Sequence, residues 1–160
     1  MPKLLIAYYS ESGHTQALAE AIAQGASQEG VEVAVRRVEE CQVEELTEFD
    51  GLCLGSPTYF SNMAWPVKKL IDESIVLYRR ERALAGKVAG IFTSTGGISD
   101  GEKCLTALEW AMEHHRVRLV LPGLVLRGSA SHETVLAEGR EYGRRIAREL
   151  KAGSEGSYDL

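Results

Sequence analysis

A chain of 160 residues has room for one substantial core, and 18 Lys+Arg against 23 Asp+Glu leave a net charge of −5, which argues against a general nucleic-acid binder. Cys41, Cys53 and Cys104 stand far apart, with no C-x-x-C and no metal-ligand spacing, so no metal centre is expected. No signal-peptide pattern and no apolar run near the ~18 residues of a membrane span is seen, so a soluble cytoplasmic protein without membrane insertion is expected.

Leu4-Leu5-Ile6-Ala7-Tyr8-Tyr9 is a short apolar run of the kind that fills a central parallel strand covered on both faces. Ser10-Glu11-Ser12-Gly13-His14-Thr15 follows, and then Ala17, Leu18, Ala21, Ile22 and Gly25 recur at spacings that share one helix face. Strand, hydroxyl-rich turn and helix start make an anion site, because the first N–H groups of a helix lack intrahelical partners and its dipole favours negative charge there. The turn contains no Lys or Arg, so a phosphate would be held by neutral donors. An ordinary hydroxyl-capped turn is the plainer alternative.

Gln28-Glu29-Gly30 stops the helix, and Val31 to Val35 alternates as an edge strand would. Arg36 to Phe49 is a polar connection. Gly51-Leu52-Cys53-Leu54-Gly55 predicts a third strand ending in Ser56-Pro57-Thr58-Tyr59-Phe60-Ser61-Asn62-Met63. Pro66 suits the first turn of a helix whose inner side carries Val67, Leu70, Ile71, Ile75 and Tyr78. Arg79-Arg80-Glu81-Arg82 reads as a solvated surface run.

Lys87 to Thr93 predicts a fourth strand, ending in the loop Ser94-Thr95-Gly96-Gly97-Ile98-Ser99-Asp100-Gly101. A helix with Leu105, Leu108, Met112 and His115 follows, then a fifth strand from Val117 to Leu121 broken at Pro122-Gly123, with a short connection over 123–134. The last helix places Gly139, Tyr142, Gly143, Ile146, Ala147 and Leu150 on one stripe. One domain over 1–152 is expected, with 153–160 a frayed tail. This order predicts a doubly wound parallel sheet with helices on both faces. Ligands bind such sheets outside the carboxyl ends of the strands. Three of those ends carry Ser, Thr, Gly or Pro, so a ligand site is expected there.

Absences narrow the ligand. No G-x-x-x-x-G-K-[ST] and no G-x-G-x-x-G follows the first strand. No carboxylate ends that strand, as a receiver domain requires, and no cysteine occupies the turn, as a cysteine phosphatase requires. What remains is a pocket that holds a phosphate through hydroxyls and offers Tyr59, Phe60 and Trp65 to a flat ring.

Tyr9-Ser10-x-Ser12-Gly13-His14-Thr15, Ser56-Pro57-Thr58-Tyr59-Phe60-x-Asn62-Met63 and Ser94-Thr95-Gly96-Gly97 resemble the three FMN loops of flavodoxin-like proteins. They are most similar to those of the WrbA-type NAD(P)H:quinone oxidoreductases. The resemblance implies a five-stranded sheet of order 2-1-3-4-5 and FMN as cofactor. It gives Ser10, Glu11, Ser12, Gly13, His14 and Thr15 the phosphate. Pro57, Thr58, Tyr59, Phe60, Asn62 and Met63 would flank the isoalloxazine. Ser94, Thr95, Gly96, Gly97, Ser99 and Asp100 would wrap its pyrimidine side. It further implies NAD(P)H as donor, a quinone-like acceptor and a homo-oligomer, dimer or tetramer, with Tyr78 the nearest counterpart of a substrate-side tryptophan.

The long insertion of WrbA-type chains after the fifth strand is replaced here by the short segment 123–134. The glycine that many flavodoxin electron carriers place in the second loop, where a peptide flips toward the flavin, is absent between Pro57 and Met63. Three classes therefore stand: an FMN-dependent NAD(P)H:quinone oxidoreductase, a flavodoxin serving protein partners, and a non-redox phosphate-binding module. The flavin does the chemistry in the first two. No acid/base residue is assigned as catalytic, and His14 is the best titratable candidate.

Overall fold

A computed structural model describes residues 1–156. Its strands are β1 (Lys3–Tyr8), β2 (Glu32–Arg37), β3 (Gly51–Tyr59), β4 (Asn62–Met63), β5 (Val88–Thr95), β6 (Arg118–Leu119) and β7 (Leu124–Arg127). Its helices are α1 (His14–Gln28), α2 (Trp65–Glu73), α3 (Ile75–Arg79), α4 (Ile98–Glu113) and α5 (His132–Gly156), with short 3-10 turns over Val38–Glu40 and Val43–Glu48.

The main sheet runs β2-β1-β3-β5-β6 in parallel register, and β7 also pairs with β5 in parallel. β6 and β7 thus occupy successive stretches of one edge, so the expected five-position order holds with its last position split. One core layer joins α1 and α5 to the sheet through Leu4, Ile6, Leu18, Ile22, Tyr142 and Ile146. The other joins α2, α3 and α4 through Leu5, Leu52, Val67, Leu77, Ile91 and Leu108. The six residues expected on one stripe of α5 are all buried, and Gly143 lets that helix touch α1, since a Cβ there would lie 2.0 Å from the Ile22 carbonyl oxygen.

Three expectations change. The fifth strand shrinks to Arg118–Leu119, leaves the sheet at Leu121-Pro122-Gly123 and resumes as β7, because a proline cannot donate to the ladder. The opened ladder is repaired from α5: the Tyr142 hydroxyl accepts the Ile91 N–H at 3.0 Å and donates to the Val120 carbonyl at 2.9 Å. The helix after Pro66 is interrupted at Ser74, which rotates Leu77 inward and leaves Ile75 exposed. The second loop closes as an antiparallel hairpin, with Thr58 opposite Met63 and Tyr59 opposite Asn62. Helix α5 runs from His132 to Gly156, and residues 157–160 of the expected tail lie outside the described residues. No helix among the described residues is long and apolar enough to cross a membrane.

Candidate functional site

The first loop leaves the buried end of β1 and enters α1 through Gly13, whose φ of 97° lies in the left-handed region that favours glycine. The Gly13 N–H donates to Ser10 Oγ at 3.0 Å, and the first intrahelical bond runs from Ala17 N–H to the Gly13 carbonyl. The N–H groups of His14, Thr15 and Gln16 therefore have no intrahelical acceptor and point out of the helix end. Ser12 Oγ lies 3.4 Å from His14 Nδ1 on the exposed side of the turn.

Two neighbours that sequence reasoning did not name complete this loop. Arg37, at the end of β2, donates to the Ser10 carbonyl at 2.7 Å. Its guanidinium stands 5.6 Å and 5.7 Å from the Tyr8 and Tyr9 ring centroids, within cation–π range. The turn itself is free of cations, yet one is bound to its backbone. Gly128, just after β7, lies against the His14 ring, where a Cβ would come within 2.6 Å of Nδ1.

The second loop is a two-residue hairpin with Phe60 at φ 51° and Ser61 at φ 64°. Both central residues are left-handed, the type I′ arrangement whose twist matches the flanking strands. The Phe60 ring is fully exposed and Tyr59 is partly exposed, with Trp65 projecting from the start of α2 nearby. Ser56 Oγ accepts the Ala64 N–H at 2.8 Å and Asn62 Oδ1 accepts the Met63 N–H at 2.7 Å, which holds the hairpin base. Pro57 lies beside Ser94 in the register of β3 with β5. In the third loop Thr95 Oγ1 accepts the Gly97 N–H at 3.2 Å. Open space faces Gly96 and Gly97, where an added Cβ would meet nothing within 4 Å.

Hydroxyl bonds tie each loop to the other two. Thr15 and Ser94, both buried, share one at 2.7 Å between the first and third loops. Tyr59 donates to Glu11 Oε2 at 2.5 Å between the second and first. Ser61 donates to Asp100 Oδ1 at 2.8 Å between the second and third, and Thr58 and Thr93 share a bond at 2.8 Å beneath them. Ser99 lies exposed on the first turn of α4.

The structure does not bring Tyr78 to these loops. Helix α4 starts at the third loop and rises about 24 Å over its 16 residues, and Tyr78 packs edge-on against His115 beyond its far end, with ring centroids 6.3 Å apart. Among the described residues no group of three or more His, Cys, Asp or Glu is placed to hold a metal ion.

The donor set suits a flavin mononucleotide: one helix N-terminus whose His14, Thr15 and Gln16 N–H groups lack intrahelical acceptors, with hydroxyls beside them for a phosphate, and exposed aromatics and open backbone for a flat ring. NAD(P)H dehydrogenase (quinone) 3 of Rhizobium meliloti (strain 1021) is 37% identical over 123 residues, 64% of this chain and 58% of that protein. NAD(P)H dehydrogenase (quinone) of Paracoccus denitrificans (strain Pd 1222) is 37% identical over 123 residues, covering 64% and 59%. The chain thus spans less than two thirds of the length of these relatives.

A solved flavodoxin from the domain Archaea superposes with a TM-score of 0.82 at 29% identity, over 93% of this chain and 99% of that one. A flavodoxin described as a WrbA-like protein, from Agrobacterium tumefaciens, shares the fold with a TM-score of 0.82 at 24% identity, over 96% and 99%. The model of the flavodoxin domain family matches residues 5–116, well over half the chain. With the sheet order and the three loops in place, this chain belongs to the flavodoxin domain family.

Proposed function

We propose that this domain binds FMN at the three linked loops and serves an NAD(P)H-dependent reduction of quinones or similar acceptors. The observation that carries it is the turn from Ser10 to Thr15, which offers hydroxyls and free helix N–H groups at one helix start, a donor set that suits a single phosphate. Bound there, the flavin would accept hydride from the nicotinamide and pass two electrons to the acceptor. Ser12, Gly13, His14 and Thr15 would hold the phosphate, Tyr59 and Phe60 would cover the ring, and the open backbone at Gly96 and Gly97 would meet its polar edge. The two quinone dehydrogenase relatives support the acceptor class. Three free cysteines, none in a disulfide, support a reducing, cytoplasmic setting.

One observation favours a flavodoxin serving protein partners instead. Phe60 and Ser61 already stand in the left-handed region, so this hairpin tolerates the backbone geometry for which many carriers use glycine. The two readings separate on one experiment. Under anaerobic conditions, NADH or NADPH added to the purified yellow protein should bleach its oxidised-flavin absorption, and a quinone should restore it over repeated cycles. No bleaching by either nicotinamide, with ready reduction by a reductase protein, would leave the carrier reading in its place.

A further inference from the structure

Two hydroxyls beneath the loops share a single bond. Thr15 sits in the first turn of α1 and Ser94 near the end of β5, and their side-chain oxygens stand 2.7 Å apart. Both residues are buried, Thr15 with 1% and Ser94 with 6% of its surface exposed. Each is held in place by its backbone. Thr15 is fixed by the helix, and Ser94 by a strand paired on both sides, with Pro57 opposite it in β3 and Leu126 in β7. Thr93 Oγ1 donates to the Ser94 carbonyl at 3.1 Å and holds that peptide as well.

The pair brings two O–H hydrogens to one bond. Among the described residues neither oxygen has another hydrogen-bond partner, so one O–H is left over in a buried place, where an unmade hydrogen bond is costly. An acceptor from outside the chain resolves this. Thr15 belongs to the helix start whose N–H groups also lack intrahelical acceptors, so the leftover O–H and those N–H groups call for the same kind of ligand atom, an anionic oxygen.

Building on the FMN reading above, we propose that Ser94 is a positioning residue for the flavin phosphate. Its hydroxyl donates to Thr15 Oγ1, which turns the Thr15 O–H toward a phosphate oxygen. The order Ser94 to Thr15 to phosphate satisfies both hydrogens, and hydrogen bonds in such a chain strengthen one another. The Ser94 hydroxyl then serves the opposite end of the cofactor from the pyrimidine side, to which the family resemblance gives this residue. The plainer account is that two buried hydroxyls merely fasten the first loop to the third. It explains the bond between them but leaves the second O–H without an acceptor.

Calorimetric titration of the apoprotein with FMN and with riboflavin tests the proposal on the parent, Ser94→Ala, Thr15→Val and the double variant, each checked for native circular dichroism. Thr15→Val should weaken FMN about ten- to a hundredfold, the worth of a donor to a charged group, and Ser94→Ala about two- to tenfold, the worth of a neutral one. Riboflavin should bind all of them as it binds the parent. Because Ser94 acts through Thr15, adding Ser94→Ala to Thr15→Val should change nothing further. In the holoprotein, Ser94→Ala should also move the phosphorus NMR resonance of the bound FMN. A parent that prefers FMN to riboflavin, with Ser94→Ala binding both as the parent does, would overturn the proposal and leave the FMN site standing. So would single-variant losses that add in the double variant, or a Ser94→Ala loss equal for the two ligands. A parent that binds the two ligands alike would overturn the single-phosphate reading and this proposal together.

Discussion

The Tyr59 hydroxyl donates to Glu11 Oε2 at 2.5 Å, closing the hairpin of the second loop onto the first loop. That bond is the main reason the Tyr59 phenol is pushed up to about 12, with partial burial and the Glu11 charge adding to it. A raised phenol pKa means that the folded chain favours the protonated form. The contribution is therefore full below the ordinary value of about 10 and is lost as pH rises through about 12. Ultraviolet titration of phenolate, read as parent minus Tyr59→Phe, should show this group ionising near the upper limit of that window. Glu11→Gln should bring it back toward the ordinary value; a Tyr59 that titrates normally in the parent would show that the bond does not form in solution.

Arg37 holds the Ser10 carbonyl at 2.7 Å from outside the turn, fixing a peptide of the turn proposed to hold the phosphate and placing a positive charge behind it. A hydrogen bond from a charged donor contributes about 1.5–3 kcal/mol. Arg37→Met should thus weaken FMN roughly ten- to a hundredfold, while riboflavin, lacking the phosphate, should bind much as to the parent. Equal losses for both ligands would mean that Arg37 acts on the ring site or on the fold as a whole.

Tyr142 bridges the gap in the edge strand through one hydroxyl. Tyr142→Phe keeps the ring and leaves the Ile91 N–H and the Val120 carbonyl without that partner, both within the buried part of the sheet. An unsatisfied buried group costs about 1–3 kcal/mol, so urea unfolding should show a loss of that order with an unchanged slope. A loss below roughly 0.5 kcal/mol, the lower edge of a typical net hydrogen bond, would show that the hydroxyl bridge does not secure the edge.

His115 is buried, its Nε2 2.8 Å from Ser74 Oγ and its Nδ1 without a partner among the described residues. Burial, followed by the nearby His114 and Arg82, lowers its pKa below the ordinary 6.5. Here the folded chain favours the neutral ring, so the stabilisation is present above about 6.5 and is lost as pH falls below it. The urea midpoint of the parent should decline below pH ~6.5, and His115→Gln should flatten that decline. An equal slope in the variant would assign the acid sensitivity to other groups.

The residues that were legible in the chain are those whose neighbours in sequence are also their neighbours in space. Leu4 to Tyr8, Gly51 to Gly55 and Val88 to Thr93 read as strands because a parallel strand covered on both faces needs an unbroken apolar run. The Ser10–Thr15 turn was readable for the same local reason. Arg37 was not, since its contact with Ser10 depends on β2 lying beside β1. The Phe60–Ser61 hairpin lacks the Asn-Gly signal that normally marks a type I′ turn. Strand β7 offers only Leu124, Val125 and Leu126 behind a Pro-Gly break, too short a run for periodicity to separate from a loop. Tyr78 was carried by resemblance alone, and the length of α4 puts it at the other end of the sheet.

The claim that these loops form a flavin mononucleotide site through one phosphate turn is tested most directly by calorimetric titration of the apoprotein with FMN and with riboflavin. We expect FMN to bind the more tightly by the worth of its phosphate, and Ser12→Ala to cut that advantage about ten- to a hundredfold, as one lost bond of 1.5–3 kcal/mol dictates, with riboflavin unaffected. Equal affinity for the two ligands in the parent, or an FMN affinity indifferent to Ser12→Ala, would contradict it.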